Sequence, residues 1–269
     1  MNGEGNINGP AFMGKQSVAE DTTALTSYIP VPGFGVLPVN AFVIHAREPV
    51  LVDTGLAALE SDFIRALRET INPAELRWIW ITHADADHIG NLHAVLRTAP
   101  RAMVITNFLG MGKLAMQGVP AERIFLLNPG QHFDVGDRRL KAIAPPSYDA
   151  PETMAVFDDK SHSLFSSDCF GALMNSPYET ANHIPPEALR QGCIGWAGVD
   201  APWLKQISPE KLLTALGKLR LLEVQTVLSC HLPPAYGMIN LLCQNLVDTL
   251  EAPAFIGPDQ AALEKILAA

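Results

Sequence analysis

Residues 78–91 read Trp-Ile-Trp-Ile-Thr-His-Ala-Asp-Ala-Asp-His-Ile-Gly-Asn, an apolar run that discharges into polar and ionisable side chains. The β-branched and aromatic content of 78–81 predicts a strand buried on both faces, and helical spacing resumes at 89–96. His83, Asp85, Asp87 and His88 are therefore expected in the turn between them. The first three alternate with small residues, so a tight loop can aim imidazole and carboxylate groups at one point without crowding. Together these groups describe a metal site. A polar turn after a strand is the plainer reading, since Asp is a common turn residue. The carboxyl end of an apolar strand is, however, where α/β folds place their sites.

Positioning these groups takes a sizeable core, which 269 residues at 48% hydrophobic content supply. Residues 1–22 show no periodicity and are expected to form a mobile or loosely packed arm; 23–269 form the domain. A hairpin is predicted from 40–45 and 50–53, closing on Asp53-Thr54-Gly55. That tripeptide is either an Asx-type turn or a place where Asp53 accepts a hydrogen bond that orients a ligand. Helices at 59–70 and 108–116 alternate with strands at 78–81, 102–106 and 124–127, an α/β order. Antiparallel strands follow at 130–135, 138–144 and 154–158, and a strand at 225–230 leads into His231. Residues 175–203 read as a long excursion, a lid or a surface loop, with His183 a candidate over the site. Ser208-Pro209-Glu210 marks a helix start, and closing helices are expected at 239–250 and 260–267. His93 and His132 read as structural or exposed.

The net charge of -9 and pI near 5.3 argue against binding nucleic acid or an anionic membrane through bulk electrostatics. With no secretory signal and no membrane-length apolar run, a cytoplasmic location is expected. Cys169, Cys193, Cys230 and Cys243 form no CxxC pair and are expected to be free thiols.

The run His-Ala-Asp-Ala-Asp-His resembles the HxHxDH motif of the metallo-β-lactamase superfamily. Asp85 replaces the second His, and an acidic residue there is similar to the HxExDH motif of the diiron branch, the flavodiiron proteins. Phe165-Ser166-Ser167-Asp168-Cys169-Phe170-Gly171 resembles that branch's Phe-Ser-Ser-Asp-x-Phe-Gly segment, whose Asp bridges two metals. Asp149-Ala150-Pro151-Glu152-Thr153-Met154 lines up with His-x-Pro-Asp-Ser-Met, so Asp149, a Tyr148 phenolate or water stands where the family has His. Leu228-Ser229-Cys230-His231 is similar to the late strand that ends in the last His ligand, with Leu232 in place of the usual Gly.

The resemblance implies a four-layer αββα sandwich with the site at one edge. It implies one metal on His83, Asp85 and Asp149, a second on Asp87, His88 and His231, and Asp168 bridging both, with Asp87 and Asp168 carrying the catalysis. Four carboxylates balance two divalent cations, and hard oxygen ligands suit iron or manganese better than zinc. A non-haem diiron oxidoreductase that binds or reduces dioxygen or nitric oxide is the leading expectation. The alternative is a metal-dependent hydrolase of an ester, lactone, thioester or phosphodiester. No Gly-rich flavin phosphate loop is seen, so no flavin is expected on this chain alone. A separate electron-donor protein and a homodimer complete the expected partners.

Overall fold

The computed structural model describes residues 9–268. Seven strands form the first sheet in chain order: β1 (Ala11–Ala19), β2 (Thr22–Val31), β3 (Gly35–Ile44), β4 (Val50–Val52), β5 (Trp78–Trp80), β6 (Met103–Thr106) and β7 (Ile124–Leu126). Antiparallel pairing runs as far as β4, and β4 to β7 are parallel. The crossovers carry α1 (Glu60–Thr70), the short α2 (Ala86–Ile89) with α3 (Leu92–Thr98), and α4 (Phe108–Met116). The second sheet holds β8 (His132–Asp134), β9 (Arg139–Ile143), β10 (Ala155–Asp158), β11 (Ser163–Phe165), β12 (Thr226–Leu228) and β13 (Ala235–Tyr236). Only β11 and β12 pair in parallel there. The segment between those two includes α5 (Pro186–Asp200) and α6 (Pro209–Arg220); α7 (Ile239–Asp248) and α8 (Gln260–Ala268) close the chain.

Alternation along the strands divides the apolar residues into three buried layers. Phe42, Trp80, Val156, Phe165 and Leu228 fill the space between the sheets, with Phe42 edge-on to Phe165 at 5.3 Å. The opposite faces, with Ala41, Leu51 and Ile79 on the first sheet, pack on Phe63, Leu67 and Leu92. On the second sheet Phe157, Leu164 and Val227 pack on Leu189, Leu216 and Leu242 of the helices. The result is the expected αββα sandwich. Each large side chain so buried contributes about 1.5–3 kcal/mol.

The sheets are also stitched by polar contacts. Asn40 Nδ2 donates to the carbonyls of Ser229 and Leu232 at 3.0 and 2.8 Å, and Trp80 Nε1 donates to that of Met154 at 3.0 Å. Parallel pairs β4/β5 and β11/β12, one in each sheet, discharge their carboxyl ends at the same edge.

Three local expectations are corrected. The arm expected over 1–22 is, from Ala11, an edge strand paired with β2, because its alternating pattern suffices once a partner supplies backbone hydrogen bonds; residues 1–8 lie outside the described residues. The excursion at 175–203 contains the 15-residue α5, although its interior glycines each cost about 1 kcal/mol of helix propensity. Asp87 and His88 lie within α2 rather than in a turn. Ser208 stands at the N-cap of α6, but its side chain makes no capping bond.

Candidate metal centre

Four strand ends at this edge contribute. Past β4 comes Asp53, past β5 Thr82 and His83, past β11 Ser167 and Asp168, and past β12 His231. Asp53 and Ser167 both have φ of 57°, the left-handed region that non-glycine residues rarely occupy. Each turns the chain sharply off its strand.

Three imidazoles are held by Nδ1 and turn Nε2 inward. His88 Nδ1 donates to Asp53 Oδ2 at 2.9 Å, and His231 Nδ1 donates to the Pro38 carbonyl at 2.8 Å. His83 Nδ1 faces Ser167 Oγ at 3.2 Å and Thr82 Oγ1 at 3.3 Å. For neutral His88 and His231 an acceptor at Nδ1 selects the tautomer whose Nε2 carries the lone pair, the form in which His ligates metal, and the hydroxyls beside His83 can accept in the same way.

Asp168 lies between the rings. Its Oδ1 is 3.0 Å from His88 Nε2 and 3.3 Å from His231 Nε2, and its Oδ2 is 3.6 Å from His83 Nε2. Asp87 Oδ2 lies 3.4 Å from His231 Nε2 and 3.7 Å from His88 Nε2; Asp149 Oδ1 lies 3.7 Å from His83 Nε2. Two lobes result, one of His83, Asp85 and Asp149, the other of Asp87, His88 and His231, with Asp168 between. The Nε2 atoms of His83 and His88 and the Oδ1 of Asp168 are buried without a hydrogen-bond partner. Proteins rarely leave such atoms unmatched, and a cation is what this donor set fits.

Electrostatics agree. Burial pushes the His88 imidazole down, yet the carboxylates around it, Asp168 foremost, hold its pKa well above the ordinary value. His231 is raised to about 9 against burial by Asp168 and Asp87. Burial works against the Asp168 carboxylate too, but His88, His231 and His83 keep it well below the ordinary range. Protons thus balance the carboxylates, and a bound metal would displace them.

The Asp53 carboxylate is fully buried and does more than turn the chain. Thr82 N and Oγ1 both donate to it at 2.8 Å, and Cys230 Sγ donates at 3.2 Å. Thr54 grips the His88 carbonyl through both N and Oγ1, at 2.7 and 2.9 Å.

Tyr148 and His183 fall outside the cluster. Tyr148 stacks on Trp203 at 4.9 Å and its carbonyl accepts from that indole, while His183 is exposed in a short 3-10 turn. His93, hydrogen-bonded to the Gln117 carbonyl, and His132 are exposed. All four cysteines are free and buried.

Sequence reasoning missed Asp200, which sits with Asp149 and Asp168 and whose carboxyl is pushed up to about 8, by burial first and then by those two neighbours. It also missed Trp196, whose indole donates to the Asp168 carbonyl at 3.0 Å. The sequence carries no signal for either, because 175–203 reads as an excursion and the face that presents them exists only once α5 forms.

No helix is long and apolar enough to cross a membrane among the described residues. A family model described as ODP family beta lactamase matches residues 37–189. A putative diflavin flavoprotein from Nostoc is 28% identical over 140 residues, which are 49% of this chain and 23% of that protein. The chain thus spans well under half the length of the curated relatives it matches. Among solved structures, a metal-soaked flavodiiron core from Synechocystis has a TM-score of 0.73 at 21% identity, covering 90% of this chain and 62% of that one. Rubredoxin oxygen:oxidoreductase from Desulfovibrio gigas gives 0.76 at 16% identity, covering 88% and 61%. Both likenesses are of fold.

Proposed function

The chain belongs to the ODP beta-lactamase family, and on that premise we propose that it is a non-haem diiron protein that binds or reduces dioxygen or nitric oxide. The carrying observation is the convergence of three Nδ1-anchored imidazoles on Asp168, with carboxylates completing each lobe. In this reading His83, Asp85 and Asp149 hold one iron, Asp87, His88 and His231 hold the other, and Asp168 bridges. Asp149, rather than Tyr148, fills the position where the family has His. When bound, an iron pair supplies one-electron chemistry toward a diatomic gas.

The protein's own residues do the rest. Asp53, the Pro38 carbonyl and Ser167 keep the imidazoles aimed, so the ligands are set before metal arrives. The Trp196 indole packs on the His231 ring at 4.6 Å and excludes water from that side. Asp149, with its side chain 31% exposed, leaves the first lobe open to a small ligand.

Protein from iron-supplemented cells should carry two irons per chain and absorb in the near ultraviolet and visible. Colourless protein carrying zinc would instead point to the hydrolase reading. The proposal also includes a homodimer and a separate electron-donor protein, both supported by the family resemblance alone. Sedimentation at micromolar concentration should give a dimer mass, and a clean monomer would remove the dimer from the proposal.

A further inference from the structure

Gly192, Trp196 and Asp200 stand one turn apart along α5 and share a face. Two glycines let that face come close: a Cβ on Gly192 would meet the Leu173 carbonyl oxygen at 2.3 Å, and one on Gly171 would meet Trp196 Nε1 at 2.5 Å. Trp196 fixes the rotation of the helix through its bond to the Asp168 carbonyl and its packing on His231. One turn on, Asp200 is only 8% exposed, with a carboxylate oxygen within 4.8 Å of those of Asp149 and Asp168.

The surroundings of Asp200 call for a cation. Three carboxylates meet at the end of a helix whose own dipole is negative there, and no Lys or Arg pairs with Asp200 among the described residues. The buried, unpartnered Nε2 of His83 is aimed at the same place, 3.7 Å from Asp149 and 3.6 Å from Asp168. From this geometry we propose that Asp200 is a further ligand of the first metal, beside His83, Asp85, Asp149 and the bridging Asp168. The inference rests on the dimetal reading above and sharpens it. One position has a single imidazole among four carboxylates, a hard site for iron or manganese, while the other has two imidazoles. Five carboxylates in all balance one divalent and one trivalent cation.

Manganese(II) titration of the metal-free full chain, with free ion counted by electron paramagnetic resonance, tests this. The unaltered protein should bind two ions. Asp200→Asn should keep one position and weaken the other about 10–100-fold, the range for perturbing a metal's supporting groups. Asp200→Glu, which restores the carboxylate on a longer arm, should recover much of that loss. Thermal melting separates ligation from packing: metal-free Asp200→Asn should be about as stable as the parent, because the amide keeps the size and hydrogen-bonding capacity of the buried side chain, yet gain less from manganese. Two positions of unchanged affinity in Asp200→Asn, or equal loss in Asp200→Glu, would overturn the ligand role alone. A lower melting temperature both with and without metal would do the same. An unaltered protein that takes up no manganese would overturn the dimetal reading and this inference together.

Discussion

Asp168→Asn should strip metal from both positions, lowering affinity at each by at least about 100-fold, the upper end of what loss of a supporting group costs a metal site. Asp168 is the one carboxylate that faces all three imidazoles, Oδ1 toward His88 and His231 and Oδ2 toward His83. An amide keeps the size of the side chain but carries no charge, and its nitrogen cannot accept from or ligate anything. The same change has a signature without metal. Asp168 is the largest influence that raises the His88 and His231 imidazoles against burial, so both pKa values should fall in the variant, His231 from about 9. Metal analysis and imidazole titration by nuclear magnetic resonance check the two halves. Retention of two metals per chain would show that Asp168 does not bridge.

Asp53→Asn should separate the two positions. The carboxylate accepts from Thr82 N, Thr82 Oγ1, His88 Nδ1 and Cys230 Sγ, four donors on two oxygens. Asn also tolerates the positive φ of 57° at this position, so the turn survives. One oxygen becomes an NH2 group, however, and some of those donors then face a donor. If that is Nδ1 of His88, the ring is driven to the other tautomer and Nε2 ceases to be a lone pair. Affinity of the second position should fall about 10–100-fold while the first changes less. Leaving buried donors unmatched should cost about 1–3 kcal/mol of stability. Metal titration and denaturant unfolding measure the two effects. Unchanged affinity at both positions would reduce Asp53 to a turn residue.

What the sequence by itself determined was local. The β-branched and aromatic run at 78–81 predicts a strand buried on both faces, which forms over Trp78–Trp80, and the polar residues that follow emerge past its carboxyl end. Helix and strand alternation through 126 follows from period and punctuation, and residues 11–19 and α5 escaped it for the same reason. A weakly apolar edge strand is specified by its neighbour's hydrogen bonds, and a glycine-bearing helix by the carbonyl it must approach. Neither partner lies within the segment it specifies.

Tertiary structure decided the meeting of the strand ends. Nothing local says that β4/β5 and β11/β12 run parallel, yet that pairing brings Asp53, His83, Asp168 and His231 to one edge. The anchors of the rings are equally long-range: the Pro38 carbonyl lies 193 residues from His231, and Ser167 lies 84 from His83. Asp200 shows the limit most plainly, because its side chain is an unremarkable helix-end acid in the sequence. Only the close approach of α5, allowed by Gly171 and Gly192 and fixed by Trp196, turns it toward Asp149 and Asp168. Side-chain chemistry is written in the residue, but the field it experiences is set by neighbours that folding alone brings near.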